Sequence, residues 1–388
     1  MSFLEQLAEI TARVRRGETL PQDELAALKL ENRRRADEAE AREDHFCDYL
    51  PPWINTSNTT ICNLECIFCD QAYGKTVKLR MKNDVYQSVV EELYPAAQTV
   101  QLSAYGEPMM TPNIARTIED MERFGVKLEM VTNATLMKGE ELVARIARTA
   151  GYIRVSIDGA TPETYNNLRV GADFDQVIGN IRLYNRFRHE LPEAQRAPLG
   201  FHYILMKRTL DELIPFLELC ADLDAQHVIV SHLVVFEDVM REEMIGSDPS
   251  WHSRANDVLE QASARAQELG LQVQLPPPFQ VADLIVPQAP KPEPIPCWFL
   301  WQRVYVTPHG DIVPCCLSGM HNTGSLKNSS FAAEWNSPLY QDMRRKVNTD
   351  DPYAPCKTCY LVNRSPDTGQ FDHADEPERP VEASELAD

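Results

Sequence analysis

Short β-rich runs alternate with amphipathic stretches of helical periodicity between residues 50 and 270. Six runs combine β-branched, aromatic and other apolar residues, at 53–56, 99–103, 128–132, 152–157, 201–206 and 227–231. Strands that alternate with helices predict βα units and a parallel sheet. Six units are too few to close an eight-stranded barrel, so we predict an α/β fold built on an open, TIM-like partial (β/α)6 barrel. In such folds the functional residues lie at the carboxyl ends of the strands.

The segments outside this barrel, which spans residues 49–275, differ in composition. Residues 1–48 are highly charged and place apolar residues at helical spacing, which predicts a charged helical extension that is solvated or docks a partner. Residues 276–296 are rich in proline and predict a stiff linker. The pattern of residues 297–364 predicts a small α+β module that contains a hairpin. The acidic composition of residues 365–388 predicts a disordered tail.

Charge and hydropathy narrow the classes of partner. The formal net charge of −20 disfavours nucleic acid, which requires an excess of Lys and Arg. The N-terminus lacks the apolar core of a signal peptide, and no apolar run approaches the roughly 18 residues of a membrane span. We therefore predict a cytoplasmic protein with no membrane partner. Ten cysteines in such a chain indicate metal binding and not a disulfide framework.

Three of these cysteines lie within eight residues, directly after the first predicted strand. Cys62, Cys66 and Cys69 could wrap one metal centre from a single loop. Three thiolates on a four-iron cluster leave one iron open to another ligand. A zinc site with a fourth ligand nearby, or three unrelated buried thiols, are the alternatives at this point.

The loop resembles the CxxxCxΦC signature of radical S-adenosylmethionine (SAM) enzymes, with Phe68 as the aromatic residue before the last cysteine. Gly106-Glu107-Pro108 after the second predicted strand resembles the family's GGE motif, although Tyr105 stands where the first glycine is common. Further positions match in order after the next strands: Asn133, Ser156, Asp158 and Arg169. The resemblance covers residues 50–240.

The resemblance implies a cofactor and roles for these side chains. A [4Fe–4S] cluster on the three cysteines would bind SAM and generate a 5′-deoxyadenosyl radical. Glu107 would accept hydrogen bonds from the SAM amine, and Arg169 would pair with its carboxylate. Ser156, Asp158 and Asn133 would face the ribose hydroxyls. A flavodoxin- or ferredoxin-type protein would supply the electron.

Four more cysteines belong to the C-terminal module, and Gly310 lies five residues before one of them. This spacing resembles SPASM and twitch modules, which carry auxiliary iron–sulfur clusters. A full SPASM module needs more thiols, so the shorter twitch version with one auxiliary [4Fe–4S] cluster is predicted, with a four-cysteine zinc site as the alternative. The ligands would be Cys297, Cys315, Cys356 and Cys359.

The spacing of these four cysteines is similar to that of a twitch-type aminocyclitol dehydrogenase, which oxidises a secondary alcohol. The leading hypothesis is therefore hydrogen abstraction from a carbohydrate- or cyclitol-like small molecule, followed by dehydrogenation or epimerisation with help from the auxiliary cluster. Tyr105, His202 and His232 are candidate proton handlers, and Cys316 is a candidate hydrogen donor.

Two other functions compete with this hypothesis. A maturase that modifies a ribosomally made peptide or protein is the first, although residues 1–48 are short for a peptide-recognition domain. A non-catalytic iron–sulfur electron carrier or scaffold is the second, and the matching Glu107, Ser156 and Asp158 argue against it.

Overall fold

The strands of this protein belong to an α/β fold. The computed structural model describes residues 2–102, 105–235, 237–279, 293–315 and 322–357, together with Cys359 and Val362. Within these residues the strands are β1 (Trp53–Thr56), β2 (Glu65–Cys66), β3 (Thr99–Leu102), β4 (Lys127–Thr132), β5 (Ala150–Ser156), β6 (Arg169–Val170), β7 (Leu199–Leu205), β8 (His227–His232), β9 (Gln272–Gln274), β10 (Arg303–Val306), β11 (Asp311–Val313) and β12 (Gly324–Ser325).

One large sheet carries the fold. Its strand order is β12-β11-β10-β1-β3-β4-β5-β7-β8-β9. Neighbours from β10 to β9 are all parallel, whereas β11 and β12 are antiparallel additions at one edge. The six predicted strands are therefore present and parallel, which confirms the predicted fold class. The short β9 and the C-terminal β10 extend this parallel arrangement at either end.

Helices separate the parallel strands, as the alternating pattern predicts. They are α1 (Phe3–Arg15), α2 (Gln22–Arg42), α3 (Asn83–Leu93), α4 (Ile114–Phe124), α5 (Glu140–Thr149), α6 (Pro162–Leu168), α7 (Phe174–Glu190), α8 (Leu213–Asp222), α9 (His252–Leu269), α10 (Phe299–Gln302), α11 (Phe331–Trp335), α12 (Pro338–Lys346) and α13 (Ala354–Lys357). None of these described helices is long and apolar enough to cross a membrane.

The two faces of the sheet differ in polarity. Alternate residues along each strand are fully buried, and these pack toward the helices; Phe201 and Tyr203 of β7, for example, both contact Phe216 of α8. The other residues are partly exposed and form what we call the inner face, because side chains alternate along a strand. Its polar members include Asn55, Gln101, Glu129, Tyr152, Arg154, Ser156, His202, Ser231 and Arg303.

The N-terminal segment is helical, and one side of it packs against the fold while many of its charged side chains are exposed. The apolar stripe of α1 belongs to the main core. On α2, the Lys29 ammonium donates to Tyr94 O at 2.9 Å, and Asn32 exchanges hydrogen bonds with the backbone of Leu50 at 2.8 and 3.0 Å. A charge run suggested solvent exposure, yet these two polar residues are buried because they satisfy backbone groups.

The C-terminal module is joined to the barrel through the sheet. Strand β10 pairs with β1 from Trp53↔Arg303 to Thr56↔Val306, and the predicted hairpin is present as β10 and β11. Arg344 of α12 donates to the carbonyls of Leu300 and His45, so it links this module to the N-terminal segment. Most of the proline-rich linker and the acidic tail lie outside the described residues.

Candidate cluster and cofactor site

The loop that carries the first three cysteines leaves the carboxyl end of β1. It is pinned on one side by a two-stranded ladder in which β2 pairs with β6, with Cys66 opposite Arg169. On the other side Glu107 N donates to Ile61 O at 2.9 Å. The loop is therefore held between the segments that follow β3 and α6, at the end of the barrel where function was predicted.

Hydrogen-bond donors point at the sulfur atoms of this loop. Cys62 Sγ accepts from Leu64 N at 3.4 Å and from Asn133 Nδ2 at 3.7 Å, and Cys66 Sγ accepts from Arg169 Nη1 at 3.9 Å. Burial, the largest cause, and the nearby Asp70 carboxylate disfavour the thiolate and raise the pKa of Cys69 to about 12. Metal binding reverses this preference, because a coordinating thiol is deprotonated. Donors placed around sulfur would then stabilise the bound thiolates.

The donor set of this loop is three thiols, from Cys62, Cys66 and Cys69, which suits a cluster better than a single ion. A zinc ion needs its ligands within about 2.3 Å of a single point. An iron–sulfur cluster takes each thiolate on a different iron and so tolerates wider separations. The three cysteines therefore fit the predicted cluster.

A separate apolar cluster surrounds the cysteine loop. Buried side chains from the loop, from α6 and from the segments after β7 and β8 pack together there: Leu64, Phe68, Leu168, Met206, Leu233, Val235, Met240 and Met244. A hydrophobic shell of this kind lowers the local dielectric and limits the access of solvent to a bound cluster. The ion pair from Lys75 Nζ to Glu237 Oε1 at 2.9 Å ties the loop's distal end to the segment after β8.

Glu107 is a buried carboxylate of this site. Its Oε1 accepts from Met109 N at 3.0 Å and from Thr132 Oγ1 at 2.6 Å, and its Oε2 accepts from Asn133 N at 2.8 Å. Burial raises the pKa of Glu107, and these hydrogen bonds oppose that effect. The carboxylate is thus held rigidly, and Oε2 keeps capacity for a further donor.

Gly106 lets the Gly-Glu-Pro segment approach the cysteine loop. Its φ is +80°, and a Cβ at this position would lie 2.6 Å from the carbonyl carbon of Thr60 and 2.7 Å from Ile61 O. Any larger residue would therefore push apart the two backbone segments that hold Glu107 beside the cysteines.

Asp158 forms an ion pair with Arg169. Its Oδ2 accepts from Arg169 Nε at 2.7 Å, and its Oδ1 accepts from Ile204 N at 2.7 Å. The Arg169 guanidinium in turn lies 5.3 Å from the centre of the Phe68 ring. Asp158 therefore positions Arg169 beside the cysteine loop, whereas its predicted contact with a ribose hydroxyl stays a prediction.

The C-terminal cysteines gather where the module meets α10. Cys297 N donates to Asn348 Oδ1 at 2.7 Å. Burial first, and then the nearby Cys356 and Cys359, raise the pKa of Cys297 to about 11, which indicates that the three thiols are neighbours. Cys315 follows β11, whose antiparallel pairing returns the chain toward the start of β10. These four residues agree with a second thiolate site.

Family models match both cysteine sites. The radical SAM superfamily model matches residues 57–220, and an iron–sulfur cluster-binding domain of SPASM type matches residues 297–360. The chain belongs to the radical SAM superfamily. Together the two matches cover more than half of the chain and confirm the predicted pairing of a radical SAM barrel with a C-terminal SPASM/twitch module. The cofactors that this pairing implies are SAM and iron–sulfur clusters.

Named relatives match about half of the chain. The chain is 28% identical over 188 residues to the AdoMet-dependent heme synthase of Methanosarcina barkeri, which covers 47% of this chain and 51% of that protein. It is 24% identical over 197 residues to a probable GTP 3′,8-cyclase of Methanocaldococcus jannaschii, covering 48% and 60%. The matches therefore span only about half to three fifths of these relatives.

Solved structures extend the likeness to most of the fold. Streptococcus suis SuiB bound to S-adenosylmethionine superposes with a TM-score of 0.57 at 16% identity, covering 85% of this chain and 75% of SuiB. At this identity the likeness establishes a shared radical SAM fold.

The predicted proton handlers of this radical SAM protein lie in different places. His202 is on the inner face, where its Nε2 lies 2.9 Å from Ser231 Oγ, and Ser156 is its register partner on β5. Burial lowers the pKa of His202 to about 4, so the imidazole is neutral at pH 7. Tyr105 is half exposed beyond the end of β3. Cys316 lies outside the described residues.

His232 does not share this inner face. Along β8 it alternates with Ser231 and is buried on the side of Val228 and Val230, with its ring 4.7 Å from that of Phe279. Strand periodicity explains the difference, since a residue next to an inward-facing one points to the other side. The structure therefore separates His232 from His202.

Three charged inner-face residues were missed by the sequence interpretation. Glu129, Arg154 and Arg303 stand in the middle or at the start of parallel strands, where apolar residues are the norm. A charged residue inside such a strand was the available signal. The strand ends, where function is expected in a barrel, do not include these positions.

Proposed function

We propose that this radical SAM protein is an enzyme that abstracts a hydrogen atom from a polar small molecule of carbohydrate or cyclitol type, which leads to dehydrogenation or epimerisation. The polar inner face of the barrel, placed between two cysteine sites, is the observation that carries the proposal. The heme synthase and cyclase names of its relatives agree with a small-molecule substrate but differ in the reaction.

The inner face offers hydrogen-bonding groups along its length. Asn55 Nδ2 donates to Gln101 Oε1 at 3.0 Å near the start of the barrel, and the His202–Ser231 pair lies closer to the strand ends. Such paired polar groups can exchange their mutual hydrogen bonds for those of substrate hydroxyls. A molecule rich in hydroxyl groups suits this lining better than an apolar one.

The two cysteine sites lie toward opposite ends of the strands. The Cys62 loop follows the carboxyl end of β1, whereas Cys297 precedes α10 and Arg303, which pairs with Trp53 at the amino end of β1. A substrate on the inner face would therefore lie between them. This arrangement supports one cluster at each end, and two clusters is the number that the cysteine spacing predicts.

The chain's own residues hold and orient the cofactors and the substrate. When bound, SAM would supply a 5′-deoxyadenosyl radical that removes a hydrogen atom, and the auxiliary cluster would accept one electron. An alcohol that loses this hydrogen atom, one electron and its hydroxyl proton becomes a ketone. Glu107 Oε2 would accept from the SAM amine, and Arg169 would pair with its carboxylate. The apolar cluster around Phe68 limits the access of water.

A peptide substrate is the competing proposal, since SuiB has also been solved bound to precursor peptide SuiA. The packing of α1 and α2 favours the small molecule. Both helices are part of the main core, so within the described ranges residues 1–48 form no separate peptide-recognition domain. The proposal further includes a flavodoxin- or ferredoxin-type reductant and a cytoplasmic location, where thiols stay reduced.

Deuterium transfer tests the proposal. The protein, reconstituted anaerobically with iron and sulfide, is mixed with SAM, a strong reductant and perdeuterated D-glucose or myo-inositol. Formation of 5′-deoxyadenosine that carries deuterium supports the proposal, and the Cys62/Cys66/Cys69→Ala variant should form none. Deuterium transfer from a labelled peptide alone would favour the maturase. Absence of 5′-deoxyadenosine under all conditions would leave an electron carrier or scaffold.

A further inference from the structure

Arg154 presents a positive charge on the inner face of the barrel. Its Nε lies 3.4 Å from Tyr152 Oη, and its guanidinium lies 5.3 Å from the centre of that ring. Among the described residues no carboxylate lies within 4.0 Å of it, whereas the buried guanidiniums of Arg169 and Arg188 pair with Asp158 and Asp224. A partly buried cation of this kind is a candidate for ligand recognition.

Tyr152 and Gly200 fix the position of this guanidinium. Gly200 is the register partner of Arg154 on β7, and a Cβ on it would lie 2.2 Å from Tyr152 Oη. The tyrosine ring therefore occupies space that only glycine leaves open, and it makes an edge contact with His227 at 6.1 Å. This packing keeps the hydroxyl at Nε of Arg154 and leaves its two terminal nitrogens to other acceptors.

A second guanidinium, of Arg303, and the carboxyl group of Glu129 also lie on this inner face. Arg303 Nη2 donates to Gln101 Oε1 at 3.2 Å, and its guanidinium lies 3.7 Å from the centre of the Trp53 ring. Both arginines lower the pKa of Glu129 on β4, but burial has the larger effect and raises this pKa to about 7. At neutral pH this part of the inner face is therefore net positive, in a chain of formal charge −20.

We propose that Arg154 and Arg303 form an acid-binding site for a carboxylate or phosphate group of the substrate. This inference rests on the function proposed above and makes the substrate an acidic sugar or cyclitol derivative. A guanidinium presents paired donors that match the oxygens of such groups, and pairs of this kind strengthen away from water. Tyr152 and Gly200 are positioning residues for Arg154, and Glu129 adjusts the local charge.

Binding of three sugars tests the site. Calorimetric titration of the reconstituted protein with SAM uses D-glucuronate, D-glucose 6-phosphate and neutral D-glucose as probes. We expect at least one acidic sugar to bind about tenfold or more tightly than D-glucose, as a charged hydrogen bond predicts. Whichever acid binds better identifies the group. The preference should vanish in Arg154→Gln and persist in Arg182→Gln, a matched change at an exposed arginine of α7.

Three results would overturn the site. They are equal binding of acidic and neutral sugars, no binding of either acid, and a preference that survives in Arg154→Gln. The Arg154→Lys variant, which keeps the charge but loses the paired donors, should bind the acids with intermediate affinity and guards against a misfolded glutamine variant. Formation of 5′-deoxyadenosine by the wild-type protein reports separately on the proposed function, so the two proposals can fail independently.

Discussion

Arg169 and Asp158 form a buried ion pair beside the cysteine loop, with Arg169 Nη2 2.5 Å and Nε 2.7 Å from Asp158 Oδ2. The pair joins the segment after β5 to the short β6, which in turn pairs with Cys66 on β2. The loop's geometry therefore depends on a charge pair that lies outside it. This relationship makes the cysteine site sensitive to changes that touch no thiol.

Asp158→Asn should destabilise the protein and loosen the cluster. The substitution leaves the Arg169 guanidinium buried without its counter-charge, a change that typically costs about 3–5 kcal/mol. Denaturant unfolding and iron content after gel filtration measure both effects. Asp222→Asn is the control, because Asp222 pairs with Arg182 on the surface and such pairs contribute about 0–1 kcal/mol. Equal effects of the two substitutions would contradict the prediction.

Gly106→Ala should lower the iron content without touching a ligand. The added Cβ meets the Thr60 backbone at 2.6 Å, and the φ of +80° is unfavourable for alanine, so the cysteine loop must shift. We expect a loss of about four irons per chain, the content of one cluster.

Gly179→Ala on α7 is the matched control for that change. No heavy atom lies within 4 Å of the position that an added Cβ would take, and alanine in a helix interior stabilises by about 0.5–1 kcal/mol relative to glycine. Full iron content in both variants would show that Gly106 is not needed for the close approach.

Glu129→Gln should stabilise the protein at alkaline pH more than at acid pH. Burial raises the pKa of Glu129 to about 7, so folding favours its protonated form. The carboxyl group therefore costs stability progressively as pH rises from its unfolded pKa, near 4.5, through 7. Its facing charges are Arg154 on β5 and Arg303 on β10, while His202 elsewhere on the inner face is neutral near pH 7.

Melting temperatures measured from pH 5 to pH 8 check this expectation. The gain of Glu129→Gln over the wild type should be small at pH 5 and should grow through pH 7. Glu163→Gln, at an exposed glutamate of α6, should show no such trend. A gain that does not change with pH would mean that Glu129 is already ionised in the folded protein.

The barrel and its cysteines could be predicted because their signals are local. Strand–helix alternation sets the sheet, and three thiols within eight residues indicate a cluster loop without knowledge of the fold. Sequence order could not reveal that Arg169 and Ile204 N donate to the oxygens of Asp158. The pairing of Arg154 with Gly200 on the neighbouring strand likewise depends on the register of β5 and β7, which only the folded sheet defines.

Iron counting in two cysteine variants tests the assignment of two clusters. The reconstituted wild type should hold about eight irons, and both Cys62/Cys66/Cys69→Ala and Cys297/Cys356/Cys359→Ala should hold about four. The two sites lie toward opposite ends of the strands, so each should load without the other. A wild type with about four irons, all lost from the first variant, would mean that the C-terminal cysteines hold zinc or no metal. The electron-accepting role of that module would then have to be abandoned. Epimerisation would become the better proposal, because it leaves the oxidation state of the substrate unchanged.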